Sequence, residues 1–162
     1  MSADQKFAYR HLAPTDCPFI LQQWAGHSAI FKEGLTEGEC LQMIADFNTK
    51  EYRGQYFEMF GFTCHGELVG VFSLYQRPDD VAENALYLGI EIAAPSRRKG
   101  YATHATAMAF DIARHQGYSK LFSQARVDNI ASVKLHAACG FQILEETYSA
   151  RGFPVYNYVY FL

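Results

Sequence analysis

"NALYLGIEIAAPSRRKGYATHA" runs from Asn84 to Ala105, and its two halves follow different periods. In the first half Leu86, Leu88, Ile90 and Ile92 alternate with Tyr87, Gly89 and Glu91, which puts the two sets on opposite faces of a strand over 84–92. Pro95 ends the strand. From Lys99 the spacing is helical: Tyr101, Ala105, Met108 and Ile112 stand at i, i+4, i+7 and i+11, and Gly117 supplies a C′ residue after Gln116. Between the two lie Arg97, Arg98, Lys99 and Gly100. The first amides of a helix have no intrahelical acceptor, and the dipole makes that end positive. A cation there costs about 0.3–1 kcal/mol. Three cations together therefore call for a compensating anion, and a phosphate fits a helix start. Gly100 allows close approach of a ligand oxygen, and Ala102 leaves the first turn open. The competing reading is a basic surface patch with no ligand. The P-loop pattern G-x-x-x-x-G-K-S/T is absent, and so are the three spaced glycines of the dinucleotide fingerprint.

Working outward, "FAYRHL" (7–12) reads as a strand, and a helix starts near Thr15 or Asp16. Thr36 followed by Glu39 forms a capping box for a second helix, continued by Leu41, Ile44, Ala45 and Asn48. "QYFEMFGFTCHGELVGVFSLYQ" is a hairpin turning at His65-Gly66-Glu67. Downstream, Lys120–Val127 is a strand, and Asp128 or Asn129 caps a short helix that ends at Gly140. Two strands follow, joined by a turn at Arg151–Pro154. The order β-α-α-β-β-β-α-β-α-β-β defines an α/β protein with a mixed sheet, in which the strands at 84–92 and 120–127 run parallel through a right-handed crossover.

The 162 residues suit a single domain over 1–162 with a sizeable core. An apolar share of 49% against 19% charged argues for a globular chain. The net charge of −3 argues against a nucleic-acid surface. The N-terminus has no apolar signal core, and no apolar run reaches the length of a membrane span, so a soluble cytoplasmic protein is expected, with no membrane partner. Cys17, Cys40, Cys64 and Cys139 are scattered without disulfide or zinc spacing and read as reduced thiols, so no metal is expected. His11, His27, His65, His104 and His115 show no ligand spacing either.

Two segments carry a family resemblance. "RRKGYA" matches the pattern Gln/Arg-x-x-Gly-x-Gly/Ala after a strand, through Arg97, Gly100 and Ala102. "NIASVKLHAACGF" matches a downstream run through Asn129, Ser132, Leu135, His136, Gly140 and Phe141. Together with the element order, these make the chain resemble the GNAT superfamily of acyl-CoA-dependent N-acetyltransferases. "APSRRKGYATHA" is similar to its ribosomal-protein N-terminal acetyltransferase branch.

The resemblance implies a mixed, mostly antiparallel sheet whose one parallel strand pair splays apart, with acetyl-CoA as cosubstrate between the splayed strands. It implies that Ile90 and Ile92 hold the pantetheine and thioester through their backbones, with the Ile90 N–H as oxyanion donor. The pyrophosphate would meet Arg97, Arg98, Lys99, Gly100, Tyr101, Ala102 and Thr103, and Asn129 would stand near the pantetheine or simply cap its helix. His136 occupies the position of a family Tyr that protonates the departing thiolate. A family Glu on the central strand is replaced by Tyr87, which leaves Glu91 or a water chain as base. The acceptor would be a primary amine of a small molecule or of a peptide N-terminus. The aromatic residues Trp24, Phe31, Tyr52, Tyr56 and Phe57 would line its pocket or pack the core. A homodimer is compatible with the resemblance. The alternative is a non-catalytic acyl-CoA-binding or sensor module.

Overall fold

The alternation that opens the sequence becomes a strand, β5 (Ala85–Ile92), followed by a short 3-10 turn at Ala94–Ser96 and a helix, α3 (Tyr101–His115). The computed structural model describes residues 6–25, 31–52 and 54–162. Before β5 come β1 (Phe7–His11), α1 (Cys17–Gln23), α2 (Glu37–Asn48), β2 (Glu51–Tyr52), β3 (Gln55–Cys64) and β4 (Glu67–Tyr75). After α3 come β6 (Lys120–Arg126), α4 (Ile130–Ala138), β7 (Gln142–Tyr148) and β8 (Pro154–Phe161). The expected order holds, with the two-residue β2 added. The fold is a mixed α/β one with a mostly antiparallel sheet and one parallel pair, β5 with β6.

The chain forms two compact units. The first comprises Met1–Ser73 and Ile90–Tyr101. Here β3 pairs antiparallel with β1, from Phe7↔Cys64 to His11↔Phe60, and with β2. The β3–β4 turn is His65-Gly66, both at positive φ (51° and 83°), the two-residue geometry that suits a hairpin's twist. Thr36 and Glu39 form the capping box as read: the Glu39 N–H donates to Thr36 Oγ1 (3.1 Å) and the Thr36 N–H to Glu39 Oε1 (3.3 Å). The face that α2 buries is Cys40, Ile44 and Phe47, whereas Leu41 is exposed. Trp24 and Phe31 stack at 6.0 Å and Phe47 and Phe57 at 4.7 Å inside this unit's core. Gly70 lets β4 lie close to the end of β5. A Cβ there would stand 2.8 Å from the Glu91 carbonyl oxygen and 2.7 Å from Ile92 Cδ1.

The second unit comprises Leu74–Gly89 and Ala102–Leu162. It holds the order β5-β6-β8-β7, with β6 and β8 paired antiparallel from Lys120↔Phe161 to Arg126↔Val155. The stripe expected on α3 is shifted. Ala105, Ala109 and Ala113 are fully buried, with Thr106 and Phe110 beside them, and Met108 and Ile112 lie at the margin. Alanines at i, i+4 and i+8 have no bulk beyond Cβ, so the backbone packs closely, while Phe110 stacks on Tyr160 at 3.9 Å. Gly117 (φ 85°) ends the helix: the Tyr118 N–H reaches back to the Ala113 carbonyl and the Gly117 N–H to that of Arg114.

Candidate active site

The loop between β5 and α3 is built on two left-handed residues, Arg98 (φ 63°) and Gly100 (φ 75°). Left-handed backbone costs a non-glycine residue about 1–2 kcal/mol, and such residues gather where a ligand is bound or a switch is set. Among the described residues, its two chain neighbours aside, no heavy atom lies within 4 Å of where a Gly100 Cβ would be. The space beside this backbone is therefore open, and the leading amides of α3 have no intrahelical acceptors. Arg97, Arg98 and Lys99 are exposed. Arg97 donates from Nε to the Ile92 carbonyl (3.0 Å), so that carbonyl already has one partner. Tyr101 sets its ring edge-on to Phe7 (5.3 Å), and its hydroxyl lies 3.6 Å from Cys64 Sγ. That contact anchors the first turn of α3, so the backbone of Tyr101 is what it offers the loop. Ala102 is half-buried, with its carbonyl accepting from Thr106 Oγ1 (2.7 Å), and Thr103 is exposed.

The parallel pairing of β5 with β6 is short. Its register runs Ala85↔Lys120, Leu86↔Leu121, Tyr87↔Phe122 and stops, although β5 continues to Ile92 and β6 to Arg126. Past that point, within the second unit, β6 keeps β8 as its neighbour, while Leu88 and Gly89 of β5 have no β6 partner in the ladder. Ile90 and Ile92 lie at the end of β5, in the first unit. A parallel pair that opens part-way leaves backbone donors and acceptors that a strand-like ligand can satisfy.

At the fork, Ser123 is the first β6 residue beyond the last pair. Its Oγ lies 3.2 Å from the Leu88 carbonyl oxygen and 2.8 Å from His136 Nε2. His136 is buried, 7% exposed, and stacks on Tyr158 at 4.2 Å with Phe141 edge-on at 5.0 Å. Its Nδ1 stands 2.7 Å from the Ser132 carbonyl oxygen and 3.4 Å from the Ser132 hydroxyl. Burial pushes the imidazole down from its ordinary pKa, with the Ser132 carbonyl pulling the other way. Asn129 caps α4, its Oδ1 accepting from the Ser132 N–H (3.2 Å), which fixes the helix that carries His136.

Tyr87 is half-buried, with the Arg77 guanidinium over its ring at 4.3 Å. Burial, helped by neighbouring Tyr75, drives its phenol far above the ordinary value, with Arg77 opposing. It therefore stays protonated at neutral pH and is unsuited to act as a base. Glu91 is half-buried at the far end of β5. Within the second unit, Tyr87 and Ser123 both line an open cleft of about 340 Å³ that also carries Asp79, Glu83, Phe122 and Glu145. Trp24, Phe31 and Phe57 are core residues, and the Tyr56 hydroxyl donates to Glu58 (2.8 Å). His27 and the Tyr52 side chain lie outside the described residues. Ser123 is the residue that motif reading passes over. Its signal is a hydroxyl on the apolar side of β6, between Leu121 and Ala125.

Fold and loop together define an α/β protein with a helix start open to an anion and a parallel strand pair that forks. Residues 6–142 match the acetyltransferase (GNAT) domain, and the chain belongs to that family. Solved structures agree in fold. An acetyltransferase from Salmonella typhimurium that modifies the N-terminal serine of ribosomal protein L7/L12 superposes with a TM-score of 0.79 at 18% identity, covering 99% of this chain and 98% of its own. The protein yncA from the same organism, solved with its cofactor acetyl-CoA, gives 0.74 at 16% identity over 98% and 95%. Spermidine N-acetyltransferase from Vibrio cholerae, in complex with CoA and spermine, gives 0.75 at 16% identity over 98% and 96%. No curated protein matches the sequence. Among the described residues no group of His, Cys, Asp and Glu is placed to hold a metal, and no helix is long and apolar enough to cross a membrane.

Proposed function

We propose that the protein transfers an acetyl group from acetyl-CoA to a primary amine by direct attack of the amine. The observation that carries this reading is the left-handed loop at Arg98 and Gly100, open beside Gly100; the early end of the β5–β6 ladder at Tyr87↔Phe122 is a separate feature in keeping with it. The loop suits a pyrophosphate because its backbone is open beside Gly100 and its three cations are exposed. In this reading the amides from Arg98 to Thr103 hold the phosphates, with Arg97 and Lys99 adding charge. The backbone of Ile90 and Ile92, at the end of β5, takes the pantetheine, and the Ile90 N–H faces the developing oxyanion. Asn129 serves both as the cap of α4 and as a polar neighbour of the pantetheine.

Acetyl-CoA supplies an activated thioester, so the chain needs only to bind, orient and manage one proton. The cleft lined by Tyr87 and Ser123 presents Asp79, Asp80, Glu83 and Glu145 against Arg77 and Lys120, an excess of negative charge that favours a cationic amine. Purified protein, acetyl-CoA and a panel of primary amines (peptides with free N-termini, polyamines, amino acids) test the proposal. Release of the CoA thiol should depend on at least one amine. Tight acetyl-CoA binding with no release on any amine would instead favour a non-catalytic acyl-CoA sensor.

A further inference from the structure

Three hydrogen-bond contacts in the second unit run in series: Leu88 carbonyl to Ser123 Oγ, Ser123 Oγ to His136 Nε2, and His136 Nδ1 to the Ser132 carbonyl. Carbonyl oxygens close both ends, and each can only accept. A neutral imidazole and a serine hydroxyl bring two protons to these three contacts, whereas an imidazolium and a hydroxyl bring three. The 2.7 Å contact with the Ser132 carbonyl assigns the Nδ1 proton. In the neutral state the Ser123 proton must therefore choose between Leu88 and Nε2, and one more proton completes the series with no heavy atom displaced.

Resting on the acetyl-transfer reading above, we infer that Ser123 and His136 form a proton shuttle at the fork, taking the proton of the attacking amine and returning it to the departing sulfur. As the N–C bond to the acetyl carbon forms, Ser123 Oγ accepts a proton from the amine nitrogen while its own passes to His136 Nε2. As the C–S bond breaks, Ser123 donates to the sulfur and recovers its proton from Nε2. Amide and free thiol are the products, and both residues end as they began. His136 reaches the reacting atoms only through Ser123. The arrangement removes the need for a carboxylate at Tyr87. The groups facing the His136 ring are Ser123 from β6, Tyr158 from β8, Phe141, and Ser132 from its own helix. The one other titratable group among them is the Tyr158 phenol, which burial holds protonated at neutral pH. A neutral resting imidazole suits a group that first accepts and then donates.

Two readouts test the shuttle. Nitrogen-15 NMR of the donor-free protein should find His136 neutral at pH 7 with its proton on Nδ1, and a dominant Nε2–H tautomer overturns the shuttle. Single-turnover rates against pH, with an amine found active above, should show an acid limb in the wild type set by His136. Ser123→Ala should slow transfer by about a hundredfold and lose that limb, with acetyl-CoA affinity kept. Ser123→Thr, which retains the hydroxyl, should keep the limb and controls for folding. A Ser123→Ala rate within about twofold of wild type, or an unmoved limb, overturns the shuttle alone. Absence of transfer to any amine by the wild type overturns both proposals.

Discussion

Two buried carboxylates, Asp16 and Glu58, are held ionised by particular neighbours. Asp16 accepts from both terminal nitrogens of Arg10 (2.8 and 2.9 Å) and from the Ala13 N–H (2.7 Å). Burial alone would raise its pKa, and these bonds together outweigh it, leaving the carboxyl below its ordinary range. Glu58 is treated likewise: burial pushes it up, and His11, Tyr56 and Lys50 bring it below. A lowered folded pKa contributes stability that is complete above the unfolded value, about 4, and is lost as pH falls through the folded one. Urea midpoints measured from about pH 6 down to pH 3 should therefore decline below about pH 4. Asp16→Asn should lower the midpoint at pH 6 and flatten the decline. A slope identical to wild type would show that Asp16 stays paired or unpaired alike in both states. At this scale the motifs pointed to Gly100, Asn129 and His136, which stand at a positive φ, at the cap of α4 and in a buried hydrogen-bonded series. Ser123 stayed hidden because a lone serine in a strand says nothing until the fork puts it opposite Leu88.

Elements were legible where local chemistry sets them. Thr36 with Glu39, His65-Gly66, Asn129 and Gly117 each satisfy or terminate backbone within a few residues, and each stands where the sequence places it. What local reading misses depends on partners remote in the chain. The buried face of α3 is chosen by how close Ala105, Ala109 and Ala113 let it pack. Gly70 looks unremarkable in "ELVGVFSLY", yet its missing Cβ is what admits the Glu91 carbonyl. Gly70→Ala should destabilise the protein by about 1–3 kcal/mol, since the obstacle is backbone and cannot rotate away. Thermal or urea unfolding checks this, and an unchanged midpoint would mean that β4 and β5 separate without cost.

For the molecule as a whole, fold class and family were legible because two motifs and the element order agree, and residues 6–142 match the family. The acceptor was not legible, since the aromatics of the N-terminal half that could have lined its pocket, Trp24, Phe31 and Phe57, went into the core. The proposed donor seat rests on a net-acidic chain concentrating Arg97, Arg98 and Lys99 around an open, left-handed glycine. Calorimetric titration of acetyl-CoA into wild type and Gly100→Glu tests that claim most directly. The space beside Gly100 is open, so the side chain meets no neighbour, although its left-handed backbone (φ 75°) costs a glutamate about 1–2 kcal/mol; the substitution also brings a carboxylate to the phosphates, where like charge costs several kcal/mol. The account predicts saturable binding to wild type and an affinity lower by about a hundredfold or more in a variant that still melts cooperatively. Equal affinities in the two proteins would contradict it and move the phosphate seat elsewhere.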